Sequence, residues 1–257
     1  LIVAQYGGVE PVFFFYDDAG EFPNQVSYVH DGRRLVGCDI ALATRIAKEL
    51  GVRLQLDRSA KDYDSVCRKV ALGKADIGVS MLSITLKRAQ YLRFSSPYAV
   101  VRTGVLVDRL AVSKSHATHN VLGFCKQEGA KIGIIAGCSY VGFAREVFPR
   151  AHFVSYQNFA LMLQGLLKGE IHALYEDEFE IMTALHRNPN LAVRLRFVLV
   201  PGVKDHIAIA VPTGSPNLLA FINILLNLDK MRSEVARLLK LFNPIRGEVR
   251  AEAVLHR

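Results

Sequence analysis

The sequence predicts an α/β protein of two similarly built lobes, each a central and largely parallel β-sheet flanked by helices. Three observations predict it. Short apolar, strand-like runs alternate with segments of helical periodicity. That alternation starts again beyond the middle of the chain. A strand and long apolar helices then follow, forming a return leg that completes the first lobe.

Leu1-Ile2-Val3-Ala4 reads as the first strand. An aromatic, loop-like stretch over 12–16 follows, and a polar segment over 17–32 fits a hairpin or a loop. Periodicity predicts a helix over 39–50, with Ile40, Ala43, Ile46, Ala47 and Leu50 on one face and Gly51 as its stop. Residues 53–57 alternate as a half-buried strand does. A second helix over 63–72 ends at Gly73, and a short buried strand over 76–79 completes a βαβαβ unit.

The second series begins with a strand over 131–135 and the turn Gly137-Cys138-Ser139. A strand over 153–156, a helix over 159–168 and a short strand over 172–175 follow. Segments 70–77 and 166–173 both run helix, glycine stop, strand, an echo between the halves. The return leg has a strand over 207–211 and helices over 217–228 and 231–242. Two crossings between lobes make a hinge, expected near 101–104 and 203–205, with the ligand crevice between the lobes.

Composition narrows the function. Hydrophobic residues are 51% and charged residues 22% of the chain, which excludes a disordered or collagenous protein. Lys and Arg total 32 against 24 Asp and Glu, a formal charge of +8. The basic residues are scattered, with no basic run interleaved with aromatics, so no nucleic-acid partner is expected. Cys38, Cys67, Cys125 and Cys138 form no C-x-x-C pair and no zinc spacing, so neither a metal nor a cofactor is expected. They fit buried thiols or disulfides equally, with Cys125–Cys138 the better pair. No apolar run reaches the ~18 residues of a membrane helix. The opening strand reads as a mature chain whose signal peptide has been removed.

The densest polar constellation is Ser80-Met81-Leu82-Ser83-Ile84-Thr85-Leu86-Lys87-Arg88, just past the 76–79 strand. That carboxyl end is where open α/β sheets bind ligands. Ser83 and Thr85 offer hydroxyls, and Arg88 offers a planar fork matched to a carboxylate. The same residues also fit an exposed helix arginine with Ser83 as the helix cap.

With Phe94-Ser95-Ser96-Pro97-Tyr98 behind it, this stretch closely resembles the periplasmic amino-acid-binding proteins of ABC transporters, the polar amino-acid group of type II solute-binding proteins. Leu35-Val36-Gly37-Cys38-Asp39-Ile40 resembles their Leu-Val-Gly-Phe-Asp-Ile helix start, and Gly73-Lys74-Ala75-Asp76 their Gly-Lys-Ala-Asp. The resemblance implies a Venus-flytrap clamshell with two hinge crossovers: 1–102 and 206–257 as lobe 1, and 103–205 as lobe 2. It implies a periplasmic or membrane-anchored monomer, without enzymatic activity, that passes a small L-amino acid to an ABC permease.

Residue by residue, the resemblance places Arg88 and Ser83 on the ligand's α-carboxylate, with the Gly137-Cys138-Ser139 turn completing that contact. Asp177 falls where the ammonium group is held, and Tyr63 where an aromatic covers the ligand. Ser80, Tyr6 and Glu10 join the expected pocket. Read alone, Asp177 also fits a helix N-cap and Tyr63 a core position. Glu10 and Glu176 would suit a cationic side chain, Arg102 or Lys61 an acidic one; a polar or basic amino acid is favoured. Cys38 replaces the usual Phe and Cys138 the usual Thr, the 19–33 stretch is longer than typical, and the usual C-terminal finish is absent.

Two alternatives share the scaffold. Cyclohexadienyl dehydratases resemble these binding proteins and carry a glutamate shortly after the aspartate, as Glu180 follows Asp177 here. There Glu180 would be the catalytic acid. The same clamshell also serves as the ligand-sensing domain of larger receptors.

Overall fold

The computed structural model describes residues 1–114 and 120–242. Two five-stranded sheets carry the architecture. The first orders its strands Gln55–Ala60, Ile2–Tyr6, Ile77–Gly78, Ala210–Pro212 and Leu92–Phe94. The second orders them His152–Tyr156, Lys131–Ile135, Ala173–Asp177, Ala99–Asp108 and Leu195–Ile207. In each, the first three strands are parallel, with the earliest in the middle. The echo seen in sequence is therefore an echo of topology. It extends to the glycines that end the equivalent helices, Gly73 at φ 69° and Gly169 at φ 76°.

Neither sheet is as parallel as expected. The last two strands of each run antiparallel to their neighbours. Helical crossovers build only the βαβαβ part, and the strands that carry the chain across and back enter from the opposite end. Ala99–Asp108 and Leu195–Ile207 pair along their length, from Ala99 with Ile207 to Asp108 with Leu195. One end of this ribbon, Ala99, Val101 and Ile207, packs into the core of the first sheet. Val105 and Val107 pack into the second. The strand expected over 207–211 is split: Ile207 ends the ribbon and Ala210–Pro212 joins the first sheet. Between them Ala208 N–H bonds Leu82 O (2.9 Å) and Ile209 N–H bonds Ser95 Oγ (3.0 Å).

Helix Cys38–Glu49 buries Ile40, Leu42, Ala43 and Ile46 beneath Phe13 and Phe14, so paired phenylalanines supply bulk in a tryptophan-free chain. The polar segment over 17–32 resolves into a small antiparallel sheet, Phe15–Tyr16, Arg33–Val36 and Ser27–His30. Its hairpin turns on Asp31-Gly32, both at positive φ (51° and 74°), the pattern of a tight primed turn. Arg34 holds the preceding loop by bonds to Asp17 Oδ2 (2.8 Å) and to the carbonyls of Phe22 and Gln25.

Gly37 caps the Cys38–Glu49 helix at φ 133°, where a Cβ would lie 2.2 Å from Phe13 O. Backbone strain and a clash with immobile backbone coincide there. Gly37→Ala is expected to cost about 2–5 kcal/mol, read as a lower denaturant midpoint at unchanged slope.

All four cysteines are free thiols, with Cys38, Cys67 and Cys125 buried and Cys138 half-buried. Of the two readings that fitted equally, the free thiols hold, and Cys125 and Cys138 form no disulfide. Cys125 packs in the second core beside Phe124 and Ile132, whereas Cys138 sits at the cleft and donates to Ile135 O (3.0 Å). Among the described residues no helix is long and apolar enough to cross a membrane.

Candidate functional site

The carboxyl ends of the two parallel units face each other across a cleft. On the first-sheet side, the Ile77–Gly78 strand runs into a loop held from several directions. Gln5 donates to Val79 O (3.1 Å), Ala208 N–H bonds Leu82 O (2.9 Å), and Asp39 Oδ2 accepts from Met81 N–H (2.8 Å). Met81 takes positive φ (47°), which re-aims the chain so that Ser83 and Arg88 reach the cleft. Thr85, not Ser83, caps the short Leu86–Ala89 helix, accepting from Arg88 N–H (3.2 Å). Arg88 is 3% exposed, so the exposed-arginine reading fails.

Arg88 Nη2 and Nε donate to Asp64 Oδ1 (3.0 and 3.3 Å), and Nη1 donates to Ser83 O (3.3 Å). A guanidinium carries five N–H donors, so these bonds leave one on each terminal nitrogen. Around it, a narrow cavity of about 30 Å³ is lined by Ser83, Tyr63 and Glu10 from one side, and by Cys138, Ser139, Glu176 and Asp177 from the other. Glu10, Tyr63, Ile135 and Glu176 also line a wider cavity of about 360 Å³ with Tyr6, Lys61 and Glu180. The two form one cleft, narrow at Arg88 and Asp177 and broad beyond.

The second-sheet side is built on two turns. Gly137 sits at φ 74° with Asp62 so near that a Cβ would come within 3.0 Å of Asp62 Cβ, so this turn reaches the opposite wall. Asp177, at the end of the Ala173–Asp177 strand, caps the Glu178–Arg187 helix; its Oδ1 accepts from Phe179 N–H (2.7 Å) and Glu180 N–H (3.0 Å). Asp177 therefore caps the helix and lines the cleft at once. Tyr63 donates its hydroxyl to Glu10 Oε1, and its ring meets Tyr6 at 5.1 Å.

Four of the carboxyl groups that line this cleft are buried, and burial raises the pKa of each. Glu180 is pushed up to about 8 by burial and then by Asp177, with Arg187 pulling it down. Asp177 rises to about 6 through burial, held back by its two backbone N–H bonds. Burial also lifts Glu10 and Glu176 well above the usual carboxylate range, helped by the neighbouring carboxylates. Burial raises the Cys138 thiol to about 12, so it stays protonated and is no nucleophile at neutral pH.

Most expected site residues converge here: Arg88, Ser83, Asp177, Ser139, Cys138, Tyr63, Tyr6, Glu10 and Glu180 all line the cleft. Ser80 does not. It is fully buried behind the wall, and its Oγ accepts from Tyr6 N–H (2.9 Å), placing the Tyr6 strand end. Lys61 lines the wide end, whereas Arg102 is paired with Glu178 outside the cleft. Sequence reasoning missed Asp64 and Asp205. Asp64 carried a usable signal, an acidic residue beside Tyr63 on the helix start; Asp205, brought in by the returning ribbon, carried none. Among the described residues no His, Cys, Asp and Glu group is arranged to hold a metal ion.

Known proteins resemble this chain in sequence and in fold. The family model of the bacterial extracellular solute-binding proteins, family 3, matches residues 19–244. ABC transporter arginine-binding protein 1 of Escherichia coli K12 is 25% identical over 167 residues, 65% of this chain and 64% of that protein. The lysine/arginine/ornithine-binding periplasmic protein of the same organism is 27% identical over 156 residues, 60% of this chain and 56% of that protein. The chain thus matches less than two thirds of the length of either relative. The crystal structure of a Streptococcus pneumoniae amino acid ABC transporter substrate-binding protein, bound to L-arginine, superposes with a TM-score of 0.73 at 25% identity, covering 94% of this chain and 93% of that one. The family model covers residues from both large sheets, and the chain belongs to the bacterial extracellular solute-binding proteins, family 3.

Proposed function

We propose that this protein captures a cationic L-α-amino acid between two lobes, on the extracytoplasmic side of a membrane, and passes it to an ABC permease. One observation carries the reading: a single cleft holds Arg88 at its narrow end and Glu10, Glu176, Asp177 and Glu180 along its length. The lobes are 1–102 with 206–257, and 103–205, residues 243–257 lying outside those described. The chain crosses where Val101 pairs with Asp205 and Arg102 with Lys204. The two terminal N–H groups of Arg88 take the α-carboxylate, and Asp177 takes the ammonium. The side chain extends into the wide end, where buried carboxylates meet its positive charge. Because Arg88 and Asp177 belong to opposite lobes, such a ligand binds the closed form better than the open one, and that difference drives closure.

A thermal-shift screen of the twenty amino acids tests this. At 100 times its Kd a ligand adds about 2.7 kcal/mol, or roughly 5–10 °C in a chain of this size. Arginine and lysine are expected to stabilise most, and a screen in which no amino acid shifts the midpoint overturns the proposal. Glu180, which keeps its proton at neutral pH, favours one second reading: a dehydratase in which it protonates a leaving hydroxyl. Turnover of prephenate by the purified protein would establish that reading, and none is expected.

The carboxylates also make binding pH-dependent. Their raised pKa values mean that the folded cleft retains protons the unfolded chain has released. On its own, the protein therefore loses stability as pH climbs from the ordinary carboxylate range near 4 towards about 8. A cationic ligand favours the ionised carboxylates, so its affinity rises over about pH 6–8, by at most about tenfold per pH unit for each proton released. Calorimetry of L-arginine in two buffers of different ionisation enthalpy should register that release, and Glu180→Gln should reduce it.

A further inference from the structure

Ser83 Oγ lies 2.6 Å from Ser139 Oγ and 2.7 Å from Asp205 Oδ2. The three residues come from different parts of the fold. Ser83 follows the Ile77–Gly78 strand of the first sheet, Ser139 precedes the Tyr140–Val147 helix of the second, and Asp205 lies on the connecting ribbon. Asp205 is 1% exposed and does not line the cleft. It is a buried carboxyl group one residue behind the wall.

The direction of these bonds follows from donor counting. An ionised carboxylate only accepts, and a hydroxyl has one proton to give. Ser83 gives its proton to Asp205, so Ser139 must donate to Ser83. Asp205 thereby orients a hydrogen bond it does not itself make. The Ser83 hydroxyl then has no proton left for a ligand carboxylate, and its work shifts from ligand contact to contact between the lobes.

We propose that Asp205 is a positioning residue for lobe closure: by taking the Ser83 proton it makes Ser83 the acceptor for Ser139 and ties the two walls of the cleft together. The proposal rests on the amino-acid-trap reading above, because closure has a purpose only if a ligand is held. The bond that crosses the cleft, from Ser139 to Ser83, is a neutral one in a buried contact, and its net contribution slows opening by up to about tenfold. The effect falls on ligand release rather than capture, since the contact exists only once the lobes meet.

Stopped-flow dissociation of L-arginine from the full chain tests it, with Asp205→Ala, Ser139→Ala and the double variant. Each single change is expected to speed release by up to about tenfold, and the double change to add little further, because both act on the Ser83–Ser139 contact. In a Ser83→Ala background, Asp205→Ala should leave the release rate unaltered. Should Asp205→Ala not fold, Asp205→Asn keeps an uncharged acceptor and is expected to give a smaller acceleration that also vanishes with Ser83→Ala. Independent effects multiplying to about a hundredfold overturn the proposal, as does a lowered melting temperature with an unchanged release rate. Failure of the wild-type protein to bind L-arginine would instead overturn the functional reading.

Discussion

Replacing Arg88 with alanine lowers the affinity for L-arginine by on the order of 10²–10³-fold while the protein still folds. The guanidinium is almost fully buried at the narrow end of the cleft, with three of its N–H donors on Asp64 and Ser83 O. Those bonds fix the plane of the group, so the two remaining terminal N–H groups present a fork to a carboxylate without further ordering. Truncating one partner of a buried, hydrogen-bonded charge pair costs about 2–5 kcal/mol, the source of the expected loss. The fold should survive, because Asp64 is one-third exposed and regains water when its partner is removed. Arg88→Lys is not conservative here, since an ammonium cannot reproduce the fork and should recover little affinity. Calorimetry for binding and a thermal melt for folding separate the two effects. Normal binding by the alanine variant would show that the α-carboxylate is held elsewhere.

Asp177→Asn is the second large effect, a loss on the order of 10²-fold with the thermal midpoint little changed. Asp177 is 1% exposed, and its Oδ1 is committed to the backbone N–H groups of Phe179 and Glu180. Asparagine caps helices about as well as aspartate, so this substitution removes the charge and keeps the cap. Alanine would confound the two, adding roughly 1 kcal/mol of lost capping to any loss of ligand contact. A ligand without an α-ammonium group should be nearly insensitive to Asp177→Asn. Equal losses for ligands with and without the ammonium would mean that Asp177 acts only through the helix.

How much of this was legible in the sequence depends on the range of the interaction. The two βαβαβ units were readable because helix faces, alternating strands and glycine stops are local signals. The strands expected over 131–135 and 153–156 match Lys131–Ile135 and His152–Tyr156 to within a residue. The ribbon was not readable. Pro201-Gly202 and the charged run Lys204-Asp205-His206 break the alternation of Leu195–Ile207, and its pairing register is irregular between Leu199 and Lys204. Only the partner strand, far away in sequence, shows that this is one long element. The same limit applies to the site. The turn from Ser80 to Arg88 is contiguous and announced itself, but Arg88's partner Asp64 and Ser83's partner Asp205 are set by tertiary contacts. Ser80 shows the converse, a polar residue in the right segment whose hydroxyl faces the scaffold.

The measurement that bears most directly on the two-ended cleft is a calorimetric comparison of three ligands on the wild-type protein. L-Arginine has all three recognition groups, agmatine lacks the α-carboxylate, and L-norleucine lacks the side-chain cation. The predicted result is tight 1:1 binding of L-arginine, with agmatine and L-norleucine each weaker by about a hundredfold or more. Agmatine binding as tightly as L-arginine, or L-norleucine doing so, would contradict the account, the first at the Arg88 end of the cleft and the second at the carboxylate end.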